Sequence, residues 1–406
     1  MKNILIILLI SFTSLSMAKY VAVILNSGDM TFKNLEPSDN SVTGEIPTKQ
    51  KFKIMASDGI SGDQFGNSVS MSGDVAIIGS YRDDNSKGAA YVFKYNGSDW
   101  VQVAKLTASD GSSGDRFGSS IAMDADTAII GAYADDSSKG AAYVFKYNGS
   151  DWVQVAKLTA SDGSSNDMFG VSIAMDADTA IIGAYVDDSW KGAAYVYKNT
   201  GTEWAQVTKL MASDGISRDQ FGYSIAMNAD TAIIGALGDD DRGAAYVFKY
   251  NGSDWAQVTK LMASDGSSND RFGVSIAMDA DTAIIGALGD DDIGAAYVYK
   301  NTGTEWAQVT KLTASDGSSI NSFGSSIAMD ADTAIIGAYA DDSWKGAAYV
   351  YKNTGTEWEQ VTKLTASDGS SIDRFGFSVA MSTETAIIGS EGDDSNKGSA
   401  YIFVPE

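Results

Sequence analysis

The 406-residue chain carries 29 basic and 53 acidic side chains, leaving a formal net charge of −24; a field of that sign repels phosphate backbones and anionic lipid surfaces, which argues against nucleic acid as a partner. Cysteine and histidine are both absent, which removes thiolate nucleophiles, disulfides, imidazole bases and the usual zinc, copper and haem ligands. Apolar residues at 44%, 42 glycines and only 3 prolines describe a chain with a substantial core and many tight turns.

At the start, Lys2 precedes an unbroken apolar run from Ile4 to Ile10, and Ser16-Met17-Ala18 offers a small-residue cleavage site. This pattern predicts an export signal over residues 1–18. The run is too short to span a bilayer comfortably, and no transmembrane segment is expected once the signal is removed. The expected location is therefore secreted or on the extracellular surface. Residues 19–50 hold Pro37 and Pro47 and read as an arm or linker, in which Tyr20 to Leu25 has the character of one strand.

From residue 51 to 406 the chain repeats itself. Phe-Gly recurs at Phe65, Phe117, Phe169, Phe221, Phe272, Phe323 and Phe375, at spacings of 52, 52, 52, 51, 51 and 52 residues. Each is followed by Ile-Ile-Gly and then by Gly-Ala-Ala-Tyr or a close variant. The second copy shows the unit. Phe117 to Met123 is a predicted strand of small residues, and Asp124-Ala125-Asp126 reverses the chain. Thr127 to Ala132 is an apolar strand leading into the polar loop around Asp135. Ala141 to Tyr147 alternates and ends at the hairpin turn Asn148-Gly149, and Trp152 to Ala160 is the fourth strand. Four antiparallel strands in about 50 residues make one propeller blade. No segment between turns is long enough for an amphipathic helix.

The seventh copy stops after Tyr401, Ile402 and Phe403, without the Trp-led fourth strand that six copies carry at Trp100, Trp152, Trp204, Trp255, Trp306 and Trp358. Lys51 to Ala56 precedes Ser57-Asp58-Gly59 as Val155 to Ala160 precedes Ser161-Asp162-Gly163. The N-terminal segment is thus predicted to complete the last blade and hide its edge. The expected fold is all-β: a seven-bladed propeller of four-stranded antiparallel blades, closed by an N-terminal strand.

The Phe-Gly followed by Gly-Ala, as in Phe117-Gly118 and Gly131-Ala132, resembles the FG-GAP repeat of the integrin α-subunit head. That resemblance implies an extracellular propeller recognising protein or glycan ligands, often with bound calcium. Two departures are visible. The repeat's final proline is replaced, as in Gly131-Ala132-Tyr133 and Gly235-Ala236-Leu237. Between the first and second strands, where integrin repeats place a calcium loop, there is only Asp124-Ala125-Asp126 or its equivalent, too few oxygens for the six to eight that calcium takes.

Acidic residues gather instead at the other end of the blades. The segment entering each blade contributes Asp58, Asp110, Asp162, Asp214, Asp265, Asp316 and Asp368, and five residues later Asp63, Asp115, Asp167, Asp219, Asp270 and Asp373, with Asn321 in the sixth copy. The loop between the second and third strands contributes the pairs Asp83-Asp84, Asp135-Asp136, Asp187-Asp188, Asp239-Asp240, Asp290-Asp291, Asp341-Asp342 and Asp393-Asp394. Such a ring suits calcium within a blade, a basic partner at the rim, or simply the capping of turns. Trp190 and Trp344 interrupt this loop in copies three and six, where the second has Ser138. They suit either stacking on a ligand or packing on the neighbouring blade. The Trp152, Phe117 and Tyr143 series are expected to pack between blades. Asn96, Asn148 and Asn251 in Asn-Gly-Ser match a glycosylation acceptor and equally a hairpin turn.

A monomeric binding or adhesion scaffold is the expected function, with a lectin-like propeller as the alternative. Catalysis by paired aspartates is disfavoured, because seven near-identical copies leave no distinguished pocket.

Overall fold

The computed structural model describes residues 45–317 and 320–406; the export signal, Tyr20 to Leu25 and most of the arm lie outside them. The second copy folds as strands Phe117–Asp124, Thr127–Ala132, Ala141–Tyr147 and Trp152–Leu158, in that order across one antiparallel sheet. The second strand is buried along nearly its whole length, while the fourth alternates between exposed and partly buried. This is the pattern of an inner strand covered on both faces and an outer one with a wet face. The described residues form seven such sheets.

The ring closes as the chain ends predict. The strand Lys49–Ile54 pairs antiparallel with Ser399–Val404, Lys49 opposite Val404 and Ile54 opposite Ala400, to give the last blade its fourth strand. The first strands of successive blades lie against one another in an unbroken cycle, the seventh against the first, and so surround the propeller axis. A bridge of Gly88 to Phe117 joins blades one and two, and Phe65 to Gly398 is its counterpart between blades one and seven.

Between blades the packing is apolar and aromatic. Ile77, Val92 and Leu106 of the first blade meet Phe117, Ile130 and Tyr143 of the second, with Trp152 at the margin. The Phe117 ring stands edge-on to Tyr143 and Phe145 at centroid distances of 5.6 and 5.9 Å, the geometry that ring quadrupoles favour. The Phe117, Tyr143 and Trp152 series are therefore interblade packing residues. The repeated glycines follow from the same closeness. A Cβ on Gly131 would stand 2.0 Å from the carbonyl oxygen of Gly170 in the next blade, and Gly118 holds φ +88° with Ala89 O at 2.3 Å from its missing Cβ. Neither place admits a side chain.

Helical structure is confined among the described residues to single turns of three or four residues, such as Asp135–Ser138 and Asp239–Asp241. None of their helices is long and apolar enough to cross a membrane. Asn148 is a turn residue: its Oδ1 accepts hydrogen bonds from the backbone N–H groups of Ser150 and Asp151, each at 2.9 Å, a side chain standing in for a backbone acceptor.

Candidate functional site

The loop from the second to the third strand and the segment entering the blade meet at one end of every sheet, and two of the acidic series converge there on a lysine. In the second blade Lys157 Nζ lies 2.7 Å from Asp110 and 3.1 Å from Asp135. The Tyr143 hydroxyl donates to the same two carboxylates at 2.9 and 2.7 Å. The arrangement recurs in all seven blades, with Lys53, Lys105, Lys209, Lys260, Lys311 and Lys363 bridging their own aspartate pairs at 2.6 to 3.0 Å. Blades six and seven vary it: Asp341 accepts from Asn321 Nδ2 at 2.7 Å, and Asp393 accepts from the Ser399 hydroxyl. Each clamp ties the incoming segment to the blade it enters.

The remaining acidic positions divide cleanly. Asp115 caps its own turn, its Oδ2 accepting from Ser112 N–H at 2.6 Å; Asp63, Asp167, Asp219, Asp270 and Asp373 do the same. The second aspartate of each pair is exposed, with φ of 46 to 48° at Asp84, Asp136, Asp188, Asp240, Asp291, Asp342 and Asp394, a left-handed turn conformation that Asp tolerates better than most residues. The clamped aspartates thus meet around an ammonium group, and among the described residues no group of three or more acidic side chains is placed to hold a metal ion.

These environments shift the carboxyls in opposite directions. Burial alone would raise Asp58, and hydrogen bonds from Lys105 and Tyr91 outweigh it, leaving that carboxyl below its ordinary value; at Asp110 the Lys157 hydrogen bond is itself the largest influence, again downward. Asp162, Asp214, Asp265, Asp316 and Asp368 are lowered likewise. Asp63, Asp115, Asp167, Asp219, Asp270 and Asp373 are raised, chiefly by burial. A raised carboxyl contributes stability that is present below its unfolded pKa and lost as pH rises through the folded one; a lowered carboxyl contributes stability present above its unfolded pKa and lost as pH falls through the folded one. The thermal midpoint is therefore expected to rise as pH is lowered from neutrality toward the ordinary aspartate range near about 4, and to fall as pH drops below that range. A calorimetric series across that range checks it, and Asp115→Asn reduces the acid-side rise.

Sequence reasoning missed a second set of residues, which the fold gathers at the axial mouth of this same end. The residue after Gly-Ala or Gly-Ser at the end of the second strand is Tyr81, Tyr133, Tyr185, Leu237, Leu288, Tyr339 and Glu391 in successive blades. The residue after Phe-Gly on the axial strand is Asn67, Ser119, Val171, Tyr223, Val274, Ser325 and Phe377. Tyr185 contacts Tyr223 of the next blade edge-on at 5.4 Å, and Tyr339 contacts Phe377 at 5.6 Å. Burial raises the Tyr223 hydroxyl, with Arg271 of the next blade opposing it and Tyr339 and Tyr133, each two blades away, adding to it. Tyr81 is raised by burial and then by Glu391 of the seventh blade. Glu391, 2% exposed, is likewise raised by burial against the pull of Arg374, whose Nη1 donates to it at 2.8 Å.

Trp190 and Trp344 join this set. Each packs on the tyrosine of its own blade, Tyr185 at 5.7 Å and Tyr339 at 5.6 Å, and Arg374 of the seventh blade lies 5.5 Å from the Trp344 ring. They remain 43% and 39% exposed. Both hold positive φ, 69° and 66°, which is strained for so bulky a residue. One signal that could have found the axial set is its divergence between copies. Clamp lysines, tyrosines and aspartates are the same in every copy, whereas the axial positions run through Tyr, Leu, Glu, Asn, Ser, Val and Phe.

A family model described as the FG-GAP repeat matches residues 48–93, 100–145, 152–197, 204–248, 255–299, 306–351 and 358–403. No curated protein matches the chain. Among solved structures, one titled "Crystal Structure of Mitotic Checkpoint Complex" is similar in fold, with a TM-score of 0.58 at 10% identity over 89% of this chain and 96% of that one.

Proposed function

Because this chain belongs to the FG-GAP repeat family, whose propellers serve in general as ligand-binding scaffolds, we propose that it is a secreted or cell-surface adhesion scaffold recognising a protein or glycan ligand through its loop end. The observation that carries this reading is the split between invariant and divergent positions. Every copy keeps its clamp and its interblade rings, which the ring needs to stand. The copies differ where side chains reach the axial mouth, and a site distinguished from its symmetry mates is what a single ligand requires.

The lectin-like variant is favoured by Trp190 and Trp344, exposed rings held in strained backbone beside further aromatics. No catalytic role is needed to account for any of these groups, and clamp lysines already occupy the points where the paired carboxylates meet. The test is binding of the full chain to arrays of glycans and extracellular proteins. Trp190→Ala combined with Trp344→Ala is expected to weaken capture about tenfold or more, while Val155→Thr on an outer strand leaves it unchanged. Equal capture by both variants would remove the loop end as the binding face.

A further inference from the structure

At the end of the blades opposite the clamps, a groove runs between neighbouring blades. Between blades one and two it encloses about 540 Å³, with Val92, Val103 and Ala104 of the first blade facing Tyr147 and Trp152 of the second. Between blades three and four the corresponding Val196, Val207, Tyr250 and Trp255 line a groove of about 290 Å³. Val103 reaches this place because the fourth strand carries one extra residue. Ala104 pairs with Val92 and Gln102 with Phe93, leaving Val103 unpaired; such a bulge re-aims a side chain, and Val103 is 55% exposed. Val207 stands at the same bulge, between Thr208 opposite Val196 and Gln206 opposite Tyr197.

The seam between blades seven and one repeats this register and fills the place. Phe52 lies opposite Ile402 and Gln50 opposite Phe403, so Phe52 holds the position of Ala104 and Lys51 that of Val103. The Phe52 ring stands edge-on to Tyr95, the counterpart of Tyr147, at 6.3 Å. The Lys51 ammonium lies 5.3 Å from the Phe52 ring centre and 5.7 Å from that of Tyr95. The wall behind is the same in filled and open grooves: ring centres are 5.7 Å apart in Tyr95–Trp100 and Tyr147–Trp152, and 5.6 Å in Tyr250–Trp255. The cation that Lys51 supplies at the seam comes in the open grooves from the third strand, as Lys94 and Lys198.

We propose that the grooves between blades one and two and between blades three and four each bind an aromatic side chain of a partner polypeptide, flanked there by basic residues. The ring class follows from Phe52: the chain's own occupant of the equivalent place is a phenylalanine, held by a tyrosine face and an ammonium group. The flanking charge follows from Asp126 and Asp151, which line the first groove, and from the net charge of −24, which attracts cationic segments and repels acidic ones. A wall already formed costs little to organise on binding. This face shares no residue with the loop end, so the two readings stand or fall separately.

The test is calorimetric titration of the full chain with a blocked peptide of core Lys-Phe-Lys, beside peptides of core Lys-Ala-Lys and Glu-Phe-Glu and a neutral trisaccharide. The first is expected to bind saturably with Kd below about 1 mM, and the other two peptides at least about tenfold more weakly, for want of the ring and of the favourable charge. Ala104→Phe with Thr208→Phe gives both open grooves the residue that fills the seam; binding is expected to fall at least about tenfold while the protein melts near the parent temperature. Tyr147→Asn with Tyr250→Asn, introducing the residue that blade three carries as Asn199, is expected to weaken binding about fivefold or more and decides the matter if the phenylalanines distort the fold. Equal binding of either control peptide, unchanged affinity in the groove variants, or binding of the trisaccharide alone would each overturn the proposal.

Discussion

A chain shortened to begin at Ser57 is expected to lose about 5 kcal/mol or more of stability and to self-associate. The removed strand carries Ile54, buried in the cluster with Phe65, Tyr91 and Ile402, and Phe52, packed at its margin. Each apolar side chain withdrawn from the core costs about 1.5–3 kcal/mol. Lys53 leaves with them, abandoning Asp393, which is 6% exposed and lies 2.7 Å from its ammonium. Loss of the strand also bares the backbone edge of Ser399–Val404, a ready template for another chain. Differential scanning calorimetry and sedimentation velocity read both effects. A peptide spanning residues 45–56 added in excess should restore the transition by mass action, and a shortened chain that melts like the parent as a monomer would contradict ring closure as the source of stability.

Lys157→Met is expected to destabilise the protein by about 2–4 kcal/mol, a figure reduced from that of a fully buried pair because the lysine is partly exposed. The substitution keeps the apolar stem and removes only the ammonium, leaving Asp135, 5% exposed, with the Tyr143 hydroxyl as its remaining side-chain partner. Adding Asp135→Asn should recover more than half of the loss, since the cost lies in the stranded charge rather than in the missing contact. Urea unfolding of the two variants decides it. If Asp135→Asn makes matters worse by its full independent amount, the clamp is not an electrostatic unit. The raised ammonium of Lys157, on which burial pulls downward and both aspartates pull upward more strongly, sets the alkaline limit: its contribution is whole below the unfolded lysine pKa and fades as pH climbs through the folded one.

The blade plan was legible because its causes are local and sevenfold. Thr127–Ala132 and Ala141–Tyr147 have the limits that their apolar runs and flanking turn residues imply. The fourth strand is shorter than its apolar run suggests, ending at Leu158, since Ala160 already belongs to the turn in which Gly163 N–H bonds to its carbonyl. The site was less legible. Repetition drew attention to the aspartates, and sequence spacing alone does not show that Lys157, two strands away from the Asp135 loop, returns to sit among them. The axial residues are scattered one or two per blade, with no motif to mark them, and become neighbours only through the curvature of the ring.

The pairing of Lys49 with Val404 also governs when the molecule becomes itself. Loop-closure entropy grows only slowly with separation, so the long span is thermodynamically tolerable, but its kinetic consequence is severe: six blades can zip from neighbouring residues while the seventh waits for the most distant meeting in the sequence. During that interval the unfinished sheet of one molecule can be completed as well by the leading strand of another. Dilution during refolding therefore favours the single ring, and crowding favours chains linked by exchanged strands.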